Sequence, residues 1–346
     1  MSRSRLKLAT CVLAALSLVG CQGPAADPPQ PAAGSGTPSA SAQPAAAFEN
    51  PVWDDNFPDP MIFNGGGSYW AVATNGNGSN VQTLRSRDLT TWEQGDDAFP
   101  ELPDWTTAGK VWAPEVAVHS KSSYVLYYTS IAPDPAIQCI GVAVGSKPDG
   151  PYRDRSAGPL VCEKDQGGSI DAHAFRASDG KRYLYWKNDG NAVGKNTYIS
   201  VQQLDATGTK LRGKPRRLFK EDLGWEAHLV EAPFVWENAG KFHMFYSGNA
   251  FDSDEYAVGH AVADSPMGRF TKNKEPVLAS NAVAAGPGHC ALFERGGKVW
   301  MVYHAWPPDS VGLEIPGRTL WLSEVTFAAG GGVKVTPPTE DYPRKP

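Results

Sequence analysis

The chain has 346 residues, a formal net charge of −5 and 20% charged residues, without a long basic run. That balance excludes nucleic acid as the expected partner, since binding a polyanion calls for a concentrated cationic surface. Eleven Trp and twelve Tyr point instead to a β-rich core, with some rings free to meet the apolar faces of sugars.

In chain order, Arg3, Arg5 and Lys7 form a positive start, followed by an apolar run over residues 8–19. The run is too short for a permanent membrane span and reads as an export signal over residues 1–20. The junction Leu18-Val19-Gly20-Cys21 resembles the bacterial lipobox, which implies lipidation of Cys21 and an exported, cell-envelope or secreted protein. Its only membrane contact is then that anchor. Residues 21–47 are almost wholly Ala, Pro, Ser, Gly and Gln, too poor in apolar side chains to offset ordering entropy, and read as a disordered tether. Residues 48–346 are expected to fold as one domain and are read as a monomer. Of the remaining cysteines, Cys139 and Cys162 are the candidate disulfide pair in an exported protein, and Cys290 is left as a buried thiol.

Within the folded part a pattern recurs: an acid or histidine at the head of a short apolar run. It is seen in Pro58-Asp59-Pro60-Met61-Ile62-Phe63, Pro114-Glu115-Val116-Ala117-Val118, Ile170-Asp171-Ala172-His173-Ala174-Phe175, Val230-Glu231-Ala232-Pro233-Phe234-Val235 and Pro287-Gly288-His289-Cys290-Ala291. The steps from Asp59 to Glu115, Asp171, Glu231 and His289 are 56, 56, 60 and 58 residues. A second apolar run follows each, as in Ser68-Tyr69-Trp70-Ala71-Val72 and Lys298-Val299-Trp300-Met301-Val302-Tyr303. In four of the five a turn pair precedes it: Gly66-Gly67, Asp179-Gly180, Ala239-Gly240 and Gly296-Gly297. Later strands repeat too, with Gly141 and Gly259 two periods apart. Short strands and turns at this period predict an all-β, five-bladed β-propeller with four-stranded antiparallel blades around a central channel. Residues 318–325 are expected to complete the last blade, with residues 54–57 helping to close the ring.

The first strand of each blade lines the propeller axis, so Asp59, Glu115, Asp171, Glu231 and His289 are expected to converge on one opening. Crowded carboxylates drive their proton affinities apart, which supplies one ionised base and one protonated acid. Glycosidic hydrolysis needs that pair.

Taken together, Phe57-Pro58-Asp59-Pro60, Trp112-Ala113-Pro114-Glu115, Ile170-Asp171-Ala172, Val230-Glu231-Ala232-Pro233 and Gly286-Pro287-Gly288-His289 resemble glycoside hydrolase family 43. The resemblance implies an inverting glycosidase on pentose-containing plant oligo- or polysaccharides, foremost an α-L-arabinofuranosidase or arabinan-degrading enzyme. A β-xylosidase and a non-catalytic sugar-binding propeller are the alternatives. It implies Asp59 as general base, Glu231 as general acid and Asp171 as the carboxylate that orients and tunes the acid. Arg318 is implied to reach the sugar from the last blade, and Trp112 is a candidate stacking platform. Two readings stand for His289: holding a hydrated structural calcium ion in the channel, or bonding only to water. No cofactor is required for the chemistry. Glu115 and His304 match no catalytic role and read as structural, and Asp54 and Asp55 read as turn residues. Where many relatives carry proline after the aspartate, this chain has Ala172.

Overall fold

The computed structural model describes residues 48–133, 135–342 and 346. The leader, the lipidation site Cys21 and the tether lie outside the described residues. No α-helix occurs among the described residues; short 3₁₀ turns such as Gly190–Val193 link the strands.

The strands form a five-bladed β-propeller. Blade 1 is Met61–Gly65, Ser68–Ala73, Gln82–Ser86 and Trp92–Gln94. Blade 2 is Trp112–Ser120, Ser123–Pro133 and Ala136–Gly145. Blade 3 is Ser169–Arg176, Arg182–Asn188, Tyr198–Leu204 and Leu211–Lys220. Blade 4 is Val230–Asn238, Lys241–Gly248, Ala257–Ala263 and Thr271–Lys272, and blade 5 is Ala285–Arg295, Lys298–Trp306, Thr319–Phe327 and Val333–Val335. Neighbouring strands are antiparallel throughout, and the five inner strands touch in a closed cycle.

Two expectations need correction. Blade 2 has three strands rather than four; the segment after it only bridges the sheet, at Val144 with Arg153 and at Ile140 with Val161. A disulfide between Cys139 and Cys162 ties that segment to the third strand, with the two Cα atoms 4.8 Å apart. Residues 319–325 belong to the third strand of blade 5, not its last, and Val333–Val335 is the outer strand. The ring is closed by residues 48–53. Phe48–Glu49 pairs with Asp341–Tyr342, Trp53 bridges Leu320, and the Asn50 side chain bonds both the N–H and the carbonyl of Leu322.

The second strands supply the aromatic packing between blades. Tyr124, Tyr127, Tyr128, Tyr185, Trp186, Tyr246, Trp300 and Tyr303 are all buried. The repeated glycines serve this packing: a Cβ at Gly141 would overlap the Tyr128 ring, and one at Gly259 the Tyr246 ring. Most of the aromatic content therefore builds the core, as a sheet-on-sheet interior demands.

The inner strands share a backbone irregularity that positions everything at their heads. Asp59, Ala113, Asp171, Ala232 and His289 all lie in the left-handed region, with φ between 43° and 57°. For residues with a Cβ this costs roughly 1–2 kcal/mol each, and in blades 2 to 5 the pairing slips by a bulge beside them. The amide turned out at each head is taken by a side chain of the preceding blade. Ala113 N–H donates to Thr74 Oγ1 at 2.8 Å, Asp171 to Thr129 Oγ1 at 3.3 Å, His289 to Ser247 Oγ at 2.9 Å and Asp59 to His304 Nδ1 at 3.1 Å. The repeat thus has a different phase from the one the motifs suggest. Asp59, Asp171 and His289 share it, whereas Glu231 precedes the blade 4 head by one residue and Glu115 follows the blade 2 head by two.

Ser247 is fully buried, so Ser247→Ala would strand the His289 amide without a partner. We expect it to lower stability by about 1–3 kcal/mol. Urea unfolding should show an earlier midpoint with an unchanged slope.

Candidate active site

A cavity of about 360 Å³ opens over the heads of the inner strands. All six residues singled out for catalysis, sugar contact or metal line it: Asp59, Trp112, Asp171, Glu231, His289 and Arg318. Beneath them a void of about 20 Å³ continues along the axis, reaching Glu115 and Cys290.

Asp59 turns its side chain into the cavity from blade 1, with 12% of it exposed. Its Oδ1 accepts from Arg318 Nη1 at 2.8 Å and its Oδ2 from the Thr74 hydroxyl at 2.5 Å. Burial opposes ionisation here, but Arg318 above all, with His289 and the Thr74 hydroxyl, holds the carboxyl well below its ordinary range. The 3.4 Å approach of His304 Nδ1 to Asp59 Oδ1 is not an ion pair, although both groups are titratable. That nitrogen already accepts from the Asp59 amide, which assigns the proton to Nε2 and leaves the ring neutral. Burial, reinforced by Arg318, pushes His304 well down. His304 thus sits against Asp59 and fixes its backbone. Arg318 does more than reach toward a sugar, since it clamps Asp59 while its guanidinium lies 4.7 Å over the Phe251 ring.

Glu231 faces the same cavity from blade 4 and keeps separate company. Tyr256 donates to its Oε1 at 2.7 Å and Lys187 to its Oε2 at 3.0 Å. Lys187 is fully buried, and Asp189 Oδ1 stands 3.8 Å away on its other side. Burial works against the ammonium, yet Glu231, Asp171 and Asp189 raise its proton affinity, so it stays charged. Lys187 occupies the position that holds Thr74, Thr129, Ser247 and His304 in the other blades, each opposite the residue before a head. With no hydroxyl or imidazole there, the Ala232 amide instead donates to Asp171 Oδ2 at 3.0 Å. Burial first, and then Glu231 and Asp59, push the Asp171 carboxyl up to about 6. A proton held on Asp171 is thus one residue away from Glu231.

Glu115 also lines the axial void, but its oxygens are committed. Oε2 meets His173 Nδ1 at 2.8 Å and Oε1 accepts the Ala174 amide at 2.7 Å, joining blade 2 to blade 3. His173, in the place next to the Asp171-Ala172 departure, is the partner that fits there. Trp112 is partly exposed on the cavity wall with the Lys110 ammonium 5.8 Å from its ring. Asp54 and Asp55 are exposed and line neither space.

For His289 the nearest charged partner is Asp59 Oδ1, 3.4 Å from Nδ1. Calcium prefers roughly six to eight oxygen ligands. No group of three or more His, Cys, Asp or Glu able to hold a metal occurs among the described residues, and the carboxylate beside His289 is already bound to Arg318. These residues do not make a protein-built calcium cage.

Several site residues escape a motif reading: Lys187, Tyr256, Thr74, Asp189 and Phe251. Lys187 carried a usable signal, a lone cation at the end of the otherwise aromatic run Tyr183-Leu184-Tyr185-Trp186. Tyr256 carried none, because it comes from a loop before the third strand of blade 4.

Comparison with known proteins agrees with this geometry. The family "Glycosyl hydrolases family 43" matches residues 48–333, and the chain belongs to that family of glycoside hydrolases. It is 30% identical over 274 residues to Beta-D-galactofuranosidase xynD of Aspergillus niger, covering 74% of this chain and 75% of that one. It is 30% identical over 269 residues to an extracellular endo-alpha-(1->5)-L-arabinanase of Thermotoga petrophila, covering 66% of this chain and 54% of that one. The chain thus spans only about half of the arabinanase. A crystal structure of a thermostable family-43 glycoside hydrolase superposes with a TM-score of 0.77 at 28% identity, covering 86% of this chain and 100% of that one.

Lys187→Met should expose the role of the buried cation. Glu231 and Asp189 would lose their compensating charge, and we expect a loss of about 3–5 kcal/mol in chemical denaturation at neutral pH. The loss should shrink in acid, where protonated carboxyls no longer need the ammonium. An equal loss at both pH values would contradict this account.

Proposed function

We propose that the chain is an inverting furanosidase that releases α-L-arabinofuranosyl units, with Asp59 as general base, Glu231 as general acid and Asp171 as the group that tunes the acid. The observation that carries the reading is the opposite treatment of carboxylates around one cavity. Asp59 is held ionised by Arg318 and Thr74, while Asp171, beside Glu231, keeps a proton up to about pH 6. The two proposed catalytic carboxylates come from blades 1 and 4, which are not neighbours, and share no hydrogen-bond partner. That suits inversion, in which the carboxyl groups stand roughly 6.5–9.5 Å apart with a water on the base side.

In this mechanism Asp59 takes a proton from water as its oxygen attacks the anomeric carbon. Glu231 gives its proton to the departing oxygen. The carboxylate so formed is the one that Tyr256 and Lys187 are placed to stabilise, so these two favour bond cleavage as charge develops on Glu231. Asp171, whose Oδ2 accepts the Ala232 amide next to Glu231, sets the potential around the acid before the step.

The preference for a furanoside draws on the relatives. A (1->5) linkage occupies O5 of arabinose, so its ring must close through O4 as a five-membered ring. An α-L-arabinofuranosyl and a β-D-galactofuranosyl ring have the same configuration around the ring and differ in the arm beyond it. One pocket can recognise both rings.

Asp59→Asn and Glu231→Gln should each lower kcat/KM on aryl α-L-arabinofuranoside by about 10²–10⁴. With an activated leaving group such as dinitrophenolate, Glu231→Gln should recover most of its rate and Asp59→Asn should not. Equal losses on good and poor leaving groups would remove Glu231 from the acid role. Faster turnover of aryl β-D-xyloside would replace the furanoside reading with the xylosidase one.

The pH profile provides an independent check. Since Asp59 stays ionised below the usual carboxylate range, the acid limb of kcat/KM should lie below about pH 4. The alkaline limb should begin near pH 6, where Asp171 loses its proton. A profile flat from pH 5 to about 8 would rule out the Asp171 proton as the one that tunes the acid.

A further inference from the structure

The chain carries a net charge of −5, yet one edge strand is strongly basic. Residues 210–220 hold Lys210, Arg212, Lys214, Arg216, Arg217 and Lys220 and no acid. Leucine, glycine and proline interrupt them, which hides the stretch as a basic run. In the fold, Leu211–Lys220 is the outermost strand of blade 3 and is exposed over most of its length. None of the six cations makes an ion pair among the described residues. Pro215 and the irregular pairing of this strand already guard the edge against strand addition. Six like charges without a salt-bridge partner exceed that need and repel one another along the strand.

A groove of about 500 Å³ lies beside this edge, walled by Gln166, Lys195, Asn196, Tyr198, Arg217 and Lys220. The Arg217 guanidinium lies 3.8 Å over the Tyr198 ring, and its Nη2 donates to the Tyr198 hydroxyl at 2.7 Å. Lys195 and Asn196 follow Gly190–Val193 across the single residue Gly194, and Asn191 and Ala192 of that turn line the catalytic cavity. One loop therefore separates the groove from the cavity.

We propose that the groove and its basic edge bind an acidic polysaccharide, a linear polymer of uronate units, next to the catalytic cavity. Ten extended residues span about 33 Å, so the cations form a line that matches a chain of carboxylates. Arginines suit such carboxylates because the planar guanidinium can pair with both oxygens at once. A flat anionic lipid surface would meet the rim cations and miss the groove. The proposal requires that the chain act on glycans and is independent of which sugar the cavity accepts.

The test is affinity electrophoresis of the full chain through gels containing polygalacturonate, its methyl ester or neutral arabinan. Polygalacturonate should retard the protein and the methyl ester should not, with the effect fading at high salt. The triple variant Arg212→Gln/Lys214→Gln/Arg216→Gln should bind roughly tenfold more weakly, and Arg217→Gln should also weaken binding. Thermal unfolding and hydrolysis of the aryl furanoside should match the parent in both variants. Absent retardation, equal retardation by the methyl ester, or undiminished binding by the variants would overturn the proposal. So would equally strong binding to phosphatidylglycerol vesicles or duplex DNA. Failure of the furanosidase reading would appear in the hydrolysis arm and leave the retardation result standing.

Discussion

Each inner strand begins with a residue in the left-handed region, and the amide exposed by that twist must find an acceptor in a place where water is scarce. The preceding blade provides it from one fixed position: Thr74, Thr129, Ser247 or His304. This constraint does two things at once. It binds neighbouring blades to one another near the axis, and it turns the head side chains toward the opening. Asp59, Asp171 and His289 face the cavity because their backbone has been turned there, and the turn is stable only while its amide is satisfied.

The asymmetry needed for catalysis arises where that rule is broken. Between blades 3 and 4 the capping position is Lys187, which has no acceptor to offer the Ala232 amide. Asp171 takes over the amide, and Lys187 turns to Glu231. A single exception in an otherwise repeating scaffold thus accounts for a buried cation bonded to Glu231 and for Asp171 being fixed by a neighbouring blade. At the other end of the same logic, His304 caps with a neutral ring in place of a hydroxyl, and its burial keeps it from competing with Arg318 for Asp59.

The number of blades and the ring of acids were legible in the chain because both follow from strand period, which leaves a direct trace in the order of residues. The phase was legible only in part. Glu115 falls at an even spacing between Asp59 and Asp171, yet its true counterpart is Ala113, whose backbone twist leaves no mark in residue type. Glu115 pairs with His173 instead, a contact between strands 58 residues apart. Tyr256 and Thr74 were hidden for a related reason: their roles depend on which blade end meets which head, a property of the closed ring. The basic edge leaves no continuous run in the sequence, because an extended strand lines up cations that leucine, glycine and proline keep apart along the chain.

A fivefold frame of this kind supplies equivalent places with unequal surroundings, and that inequality is what divides the proton affinities. Asp59 and Asp171 have the same backbone twist and near-complete burial, so desolvation alone would raise both. They part because Asp59 meets a guanidinium and a hydroxyl directly, whereas the cation beside Asp171 is bonded to Glu231 instead. A positive contact made directly with one carboxylate and withheld from the other thus sets an ionised group and a protonated one on the same cavity. The scaffold's symmetry does not have to be abandoned for this: Arg318 comes from the loop before the third strand of blade 5, and Lys187 from one capping position.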